Sequence, residues 1–158
     1  MVLYHLAFCA SLNGDAAYAA EMLEKAAGSD FLYCFPNRLE DIPVLLHAVR
    51  ENPSDARAYY CLGCLWYDKL QYDHAIDCWE KSVSLDASFP TAWRNLALAY
   101  FNKRGDPAKA RACMEKAYAL DESDARILLE LHQLYGKLNL PVAERFAFLD
   151  ARKDVAFR

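Results

Sequence analysis

The chain has 158 residues, 55% hydrophobic and 25% charged, which excludes a disordered or fibrous polypeptide and fits one compact unit. A formal net charge of -4 speaks against a nucleic-acid partner, because neutralising phosphates takes clustered Lys and Arg. No run approaches the ~18 apolar residues that span a bilayer, and the N-terminus lacks the zones of a signal peptide, so neither a membrane association nor secretion is expected.

Along the chain, Leu3, Leu6, Ala7, Ala19, Leu23 and Ala26 have the spacing of two apolar helix faces, with Gly14 and Asp15 turning between them. This first unit covers about 1–28. The stretch 29–53 is irregular. Leu39 to Glu51 reads as a helix ending at Asn52-Pro53, but Phe31-Leu32-Tyr33-Cys34-Phe35-Pro36 before it reads as an extended link or at most one helical turn. In the unit 54–87, Ser54 and Asp55 cap a helix from about Ala56, and Gln71 to Leu85 is its partner after a Lys69-Leu70 turn. In the unit 88–121, Pro90 follows Ser88 in a first turn, and Asp106-Pro107 supplies an N-cap and a proline at the first helical position. A last unit, 122–155, starts near Ala125 and keeps Leu128, Leu131, Tyr135, Phe148 and Ala151, with His132 and Glu144 where small residues are usual.

These units repeat one another. Tyr59, Leu62, Trp66 and Trp79 recur 34 residues later as Trp93, Leu96, Tyr100 and, after one inserted residue, Met114. Small residues recur between them: Gly63, Ala75 and Ser82, then Ala97, Ala110 and Ala117. Large side chains fill the space between two helices, and small ones let the backbones approach where the helices cross.

On these positions the chain resembles the tetratricopeptide repeat (TPR) family, whose signature runs Trp, Leu, Gly, Tyr, Ala, Phe, Ala, Pro. Here the best unit reads Tyr59, Leu62, Gly63, Trp66, Ala75, Trp79, Ser82 and Ala87, and the next lacks the closing proline, with Glu122 in its place. The resemblance implies an all-α fold, a right-handed superhelix of antiparallel helix pairs, and a single TPR-like α-solenoid over 1–158. From Phe35 through Leu149 the chain also looks like the repeat region of large bacterial proteins in which a β-rich domain precedes the repeats. Arg38-Leu39-Glu40 leading into Asn52-Pro53, and Leu149 closing the last unit, carry that likeness. It implies a piece of a longer protein.

No catalytic residue, metal ligand or cofactor is expected. Cys61-x-x-Cys64 has no second pair to complete a zinc site, and it sits in mid-helix rather than at a helix N-terminus beside a strand. The six cysteines read as reduced thiols of a cytoplasmic protein, mostly packed as small hydrophobes. The four histidines, His5, His47, His74 and His132, fall on different helices, and Glu40-Asp41, Asp121-Glu122 and Asp124 lie at helix starts, where acidic groups favour the helix dipole.

The family resemblance implies that the first helix of each pair lines a concave surface. Those positions are Arg57, Tyr60, Cys64, Tyr67 and Asp68, then Thr91, Arg94, Leu98, Phe101 and Asn102, then Arg126, Leu129, Gln133, Gly136 and Lys137, with Tyr4 and Phe8 from the first unit. Arginine pairs with carboxylates and rigid aromatics bind at little entropic cost, so this lining suits a protein or peptide partner carrying acidic and apolar groups. The alternative is that another domain of the same polypeptide covers it. The carboxylate clamp of chaperone-binding members is not expected, since Tyr60 and Cys64 replace its first pair and Glu130 opposes its last basic group. The chain is expected to be a monomer or to self-associate weakly.

Overall fold

The computed structural model describes residues 1–29 and 34–156. The regular elements among them are all helical, and they group into two compact units, Met1–Ala87 and Ser88–Arg158.

The first unit holds α1 (Val2–Leu12), α2 (Ala16–Ala27), α3 (Asp41–Glu51), α4 (Ala56–Asp68) and α5 (Tyr72–Leu85). The pair α1–α2 buries Tyr4, Ala7 and Ala10 against Ala19, Met22, Leu23 and Ala26, and α3 packs on both α1 and α4. In the pair α4–α5, Gly63 lies under the Trp79 ring, whose Nε1 donates to the Tyr60 carbonyl at 3.2 Å. Ser82, in a small-residue position of the repeat, is fully buried and its hydroxyl donates to the Ala56 carbonyl at 2.8 Å. Asp55 caps α4 by accepting from the amides of Arg57 and Ala58, both at 2.9 Å.

Part of the expected link, Asp30 to Tyr33, lies outside the described residues. Cys34 to Asn37 adopt no regular element, and the helix after them starts at Asp41 rather than Leu39. The Asp41 carboxylate, nearly buried, accepts from the Arg38 amide at 3.1 Å and meets His5 Nε2 at 2.9 Å, which fixes the start of α3 against α1.

The second unit holds α6 (Pro90–Ala99), a π-helical turn over Tyr100–Arg104, α7 (Pro107–Leu120), α8 (Ala125–Lys137), α9 (Val142–Asp150) and α10 (Lys153–Ala156). Proline starts α6 and α7, where its missing N–H costs nothing, and Asp106 caps α7 through the Lys109 amide at 2.9 Å. Its core is Leu96, Ala97, Met114, Ala117, Ile127, Leu128 and Leu131.

The turn inside each helix pair has one construction. A residue in left-handed conformation, Gly14, Leu70, Gly105 or Asn139, reverses the chain. The next amide then bonds back to the preceding helix: Asp15 to Ala10, Gln71 to Trp66, Asp106 to Tyr100 and Leu140 to Tyr135, at 2.8 to 3.0 Å. Three of these bonds reach back five residues; Asp106 to Tyr100 reaches back six. The extra residue between Tyr100 and Ala110 is therefore absorbed by widening the last turn of the first helix to π geometry, so that the closing bond survives.

Leu70 is the misfit among the four, with φ at +62° and two thirds of its surface exposed. A leucine there carries the left-handed penalty without burying its side chain. Leu70→Gly is expected to stabilise the chain by about 0.5–1 kcal/mol, net of the added freedom of the unfolded state. Urea unfolding followed by circular dichroism checks the sign, and a loss of stability would show that Leu70 packs on something.

Candidate functional site

In the first unit, two of the groove residues are packing residues. Tyr4 is fully buried and its hydroxyl donates to Asp55 Oδ2 at 2.8 Å; burial first, and then the Asp55 charge, push its ionisation well above the ordinary tyrosine range. Tyr60 is buried as well, and its carbonyl accepts from the Trp79 indole. Neither lines an open surface. Phe8 packs edge-on to His47 with ring centres 5.5 Å apart, and Tyr67 meets Tyr72 edge-on at 5.1 Å and the tilted Trp79 ring at 5.5 Å. Arg57 donates to the Ser29 carbonyl at 3.0 Å and pairs with Asp86 at 3.5 Å. Its fork is engaged within the unit.

In the second unit, side chains from α6, the π turn, α7 and α8 enclose a slot of about 130 Å³. Leu98, Phe101, Asn102, Gln133 and Lys137, all among the expected groove positions, line it. Ala97, Met114 and Leu134 complete its apolar wall. The Lys137 ammonium sits 5.2 Å above the centre of the Phe101 ring, a cation–π distance.

Arg94 and Arg126 are committed to Glu130, a residue of the slot's lining. Arg94 grips both carboxylate oxygens of Glu130 in a fork, and Arg126 Nε reaches the same carboxylate at 3.3 Å. The arginines expected to meet a partner's carboxylate thus neutralise one of the chain's own. Spacing along single helices shows the Arg126–Glu130 step of four residues, but Arg94 and Glu130 lie 36 positions apart and meet only after α6 and α8 pack.

The Cys61-x-x-Cys64 pair is held in α4, with Cys61 fully buried. Its thiol is raised well above the ordinary range by a hydrogen bond to Cys34 and by burial, and burial pushes Cys64 up to about 11. Among the described residues no group of three or more His, Cys, Asp or Glu side chains is arranged to hold a metal ion, and no helix is long and apolar enough to cross a membrane.

Comparison with known proteins agrees with this architecture. Residues 65–103 match the family described as TPR repeat, and residues 90–134 match that described as tetratricopeptide repeat. The crystal structure of MamA superposes with a TM-score of 0.64 at 21% identity, covering 95% of this chain and 94% of that one. A second MamA crystal structure gives 0.60 at 20% identity over 98% of this chain and 90% of that one. The MamA RS-1 ArsTM double mutant gives 0.62 at 19% identity over 96% and 74%. At such identities the likeness establishes the fold. Two overlapping family matches, on helix pairs built as described, mark tetratricopeptide repeats over residues 65–134 of the chain.

Proposed function

We propose that the chain is a non-catalytic protein-interaction module and that the slot between α6 and α8 receives an extended segment of a partner protein, an apolar side chain entering it beside an acidic group. The observation that supports this most is Lys137 over Phe101 at the slot. Glu130, the acid of the lining, is gripped by Arg94, and Lys137 is the cation of the lining itself, placed to meet an incoming carboxylate. Asn102 and Gln133 add amide groups able to bond a peptide backbone. The apolar wall favours a compact aliphatic or aromatic side chain.

The test is selection of binders from a displayed peptide library, followed by affinity measurement on the wild type, Lys137→Ala and Phe101→Ala. Selected peptides should pair an acidic residue with an apolar one, and each variant should weaken binding about tenfold with little change in thermal melting. Peptides without acidic residues, or binding indifferent to both substitutions, would place the interaction elsewhere.

A second reading, in which another domain of the same polypeptide lies on the repeats, is favoured by α9. None of its residues is buried, and Val142 and Phe146, one turn apart, are 72% and 69% exposed. Under this reading Phe146→Lys releases that domain and leaves peptide binding at the slot intact.

A further inference from the structure

The slot in the second unit has a counterpart in the first, and the two differ in what fills them. In α4–α5 the Trp79 indole lies over Gly63, its ring centre 5.5 Å from that of Tyr67, and its Nε1 donates to the Tyr60 carbonyl. The repeat puts Ala97, Phe101 and Met114 in the places of Gly63, Tyr67 and Trp79, and all three line the slot. An indole fills the first unit from within. In the second, a slimmer and flexible thioether side chain takes that position and about 130 Å³ stays open.

Two of these replacements belong together. A Cβ on Gly63 would lie 2.5 Å from the Trp79 ring, so the methyl group of Ala97 bars the chain from supplying an indole of its own in place of Met114. A ring that arrives on another chain is not tethered to α7 and can settle against that methyl at ordinary contact distance.

Given the slot as a peptide site, the reading on which this rests, we propose that its occupant is an indole ring, a tryptophan side chain of the partner segment in the place that Trp79 fills in the first unit. The lining suits this ring better than an aliphatic group. Phe101 offers an aromatic neighbour, as Tyr67 does to Trp79, and the Met114 sulfur adds a favourable contact with an aromatic ring. A buried indole also needs an acceptor for its N–H, and the side-chain oxygens of Asn102 and Gln133 belong to the lining. Lys137, over Phe101, meets the acidic neighbour of the tryptophan.

The experiment titrates the full chain with indolepropionate and with cyclohexylpropionate, following the NMR shifts of Leu98, Gln133 and Lys137. The second acid is nonplanar, more apolar and without an N–H, so hydrophobicity alone would favour it. Indolepropionate should bind at the slot with a dissociation constant of about 1 mM or below, at least about threefold tighter than cyclohexylpropionate. The double variant Ala97→Gly/Met114→Trp, which transplants the Gly63–Trp79 pair, should lose indolepropionate binding and melt no lower than the wild type. A preference smaller than about threefold, or undiminished binding by the folded variant, overturns the indole assignment and leaves the slot a site for acidic, apolar ligands. If neither acid shifts the slot residues, the assignment and the peptide-site reading fall together. Should the variant not fold, the two acids compared on the wild type decide the question by themselves.

Discussion

Gly63→Ala should destabilise the chain by about 2–3 kcal/mol, because a methyl group there cannot be accommodated. A Cβ built on Gly63 lies 2.5 Å from both Cδ1 and Nε1 of Trp79, well inside contact distance. The ring cannot swing aside: Trp79 is almost fully buried, tilted against Tyr67, and bonded to the Tyr60 carbonyl through the nitrogen that the methyl would strike. Relief must come from separating α4 from α5 or from breaking the Tyr60 bond. In a chain of this size the loss corresponds to a fall in melting temperature of about 5–10 °C. Urea unfolding measures it, and a double-mutant cycle with Trp79→Phe isolates the clash, since the smaller ring should remove much of the alanine penalty. A change below about 0.5 kcal/mol would mean that the close approach of the two helices is not held by Trp79.

Asp55→Ala should cost about 2–4 kcal/mol, the sum of two separate losses. The first is the N-cap of α4, where Oδ1 accepts from the amides of Arg57 and Ala58, an interaction worth roughly 1 kcal/mol or more. The second is the bond from the fully buried Tyr4 hydroxyl to Oδ2, whose loss costs about 1–3 kcal/mol. Asp55→Asn keeps an oxygen for the cap and should retain most of the stability. Tyr4→Phe in the Asp55→Ala background should then be less damaging than Tyr4→Phe alone, because the bond to Asp55 is already gone. Equal penalties in the two backgrounds would show that the bond contributes nothing.

What the sequence made legible follows from local rules. Asp55 and Asp106 each precede a helix and bond its first amides, and Pro107 sits where its missing N–H is harmless, so the starts of α4 and α7 could be read directly. Gly63 and Trp79 were recognisable as small and large members of one packing pair, since that choice is repeated at Ala97 and Met114. Other features depend on which elements meet. The inserted residue was visible by counting, but its absorption in a π turn, with the closing bond from Asp106 reaching back six residues to Tyr100, was not. Leu70 carries no residue-type signal for a left-handed turn, and only its equivalence to Gly14, Gly105 and Asn139 exposes the role.

The groove shows the same division. A helix-face rule places Tyr4 and Tyr60 beside Phe101, but it cannot see that Asp55 captures one and that the Trp79 indole bonds the other's carbonyl. Nor can it see that Glu130, 36 residues away in sequence, claims Arg94. Leu98, Phe101 and Gln133 line the slot, and the polar groups beside them come from Asn102 and Lys137. The partner chemistry proposed here therefore rests on one lysine and two amides rather than on the arginines.

The measurement that bears most directly on this account is the affinity of one selected acidic–apolar peptide for the wild type and for Lys137→Glu, at low and at physiological salt. The account predicts a loss of more than about tenfold on charge reversal, larger at low salt, where a like-charge pair is less screened. An affinity that is unchanged by Lys137→Glu at both salt concentrations would contradict it.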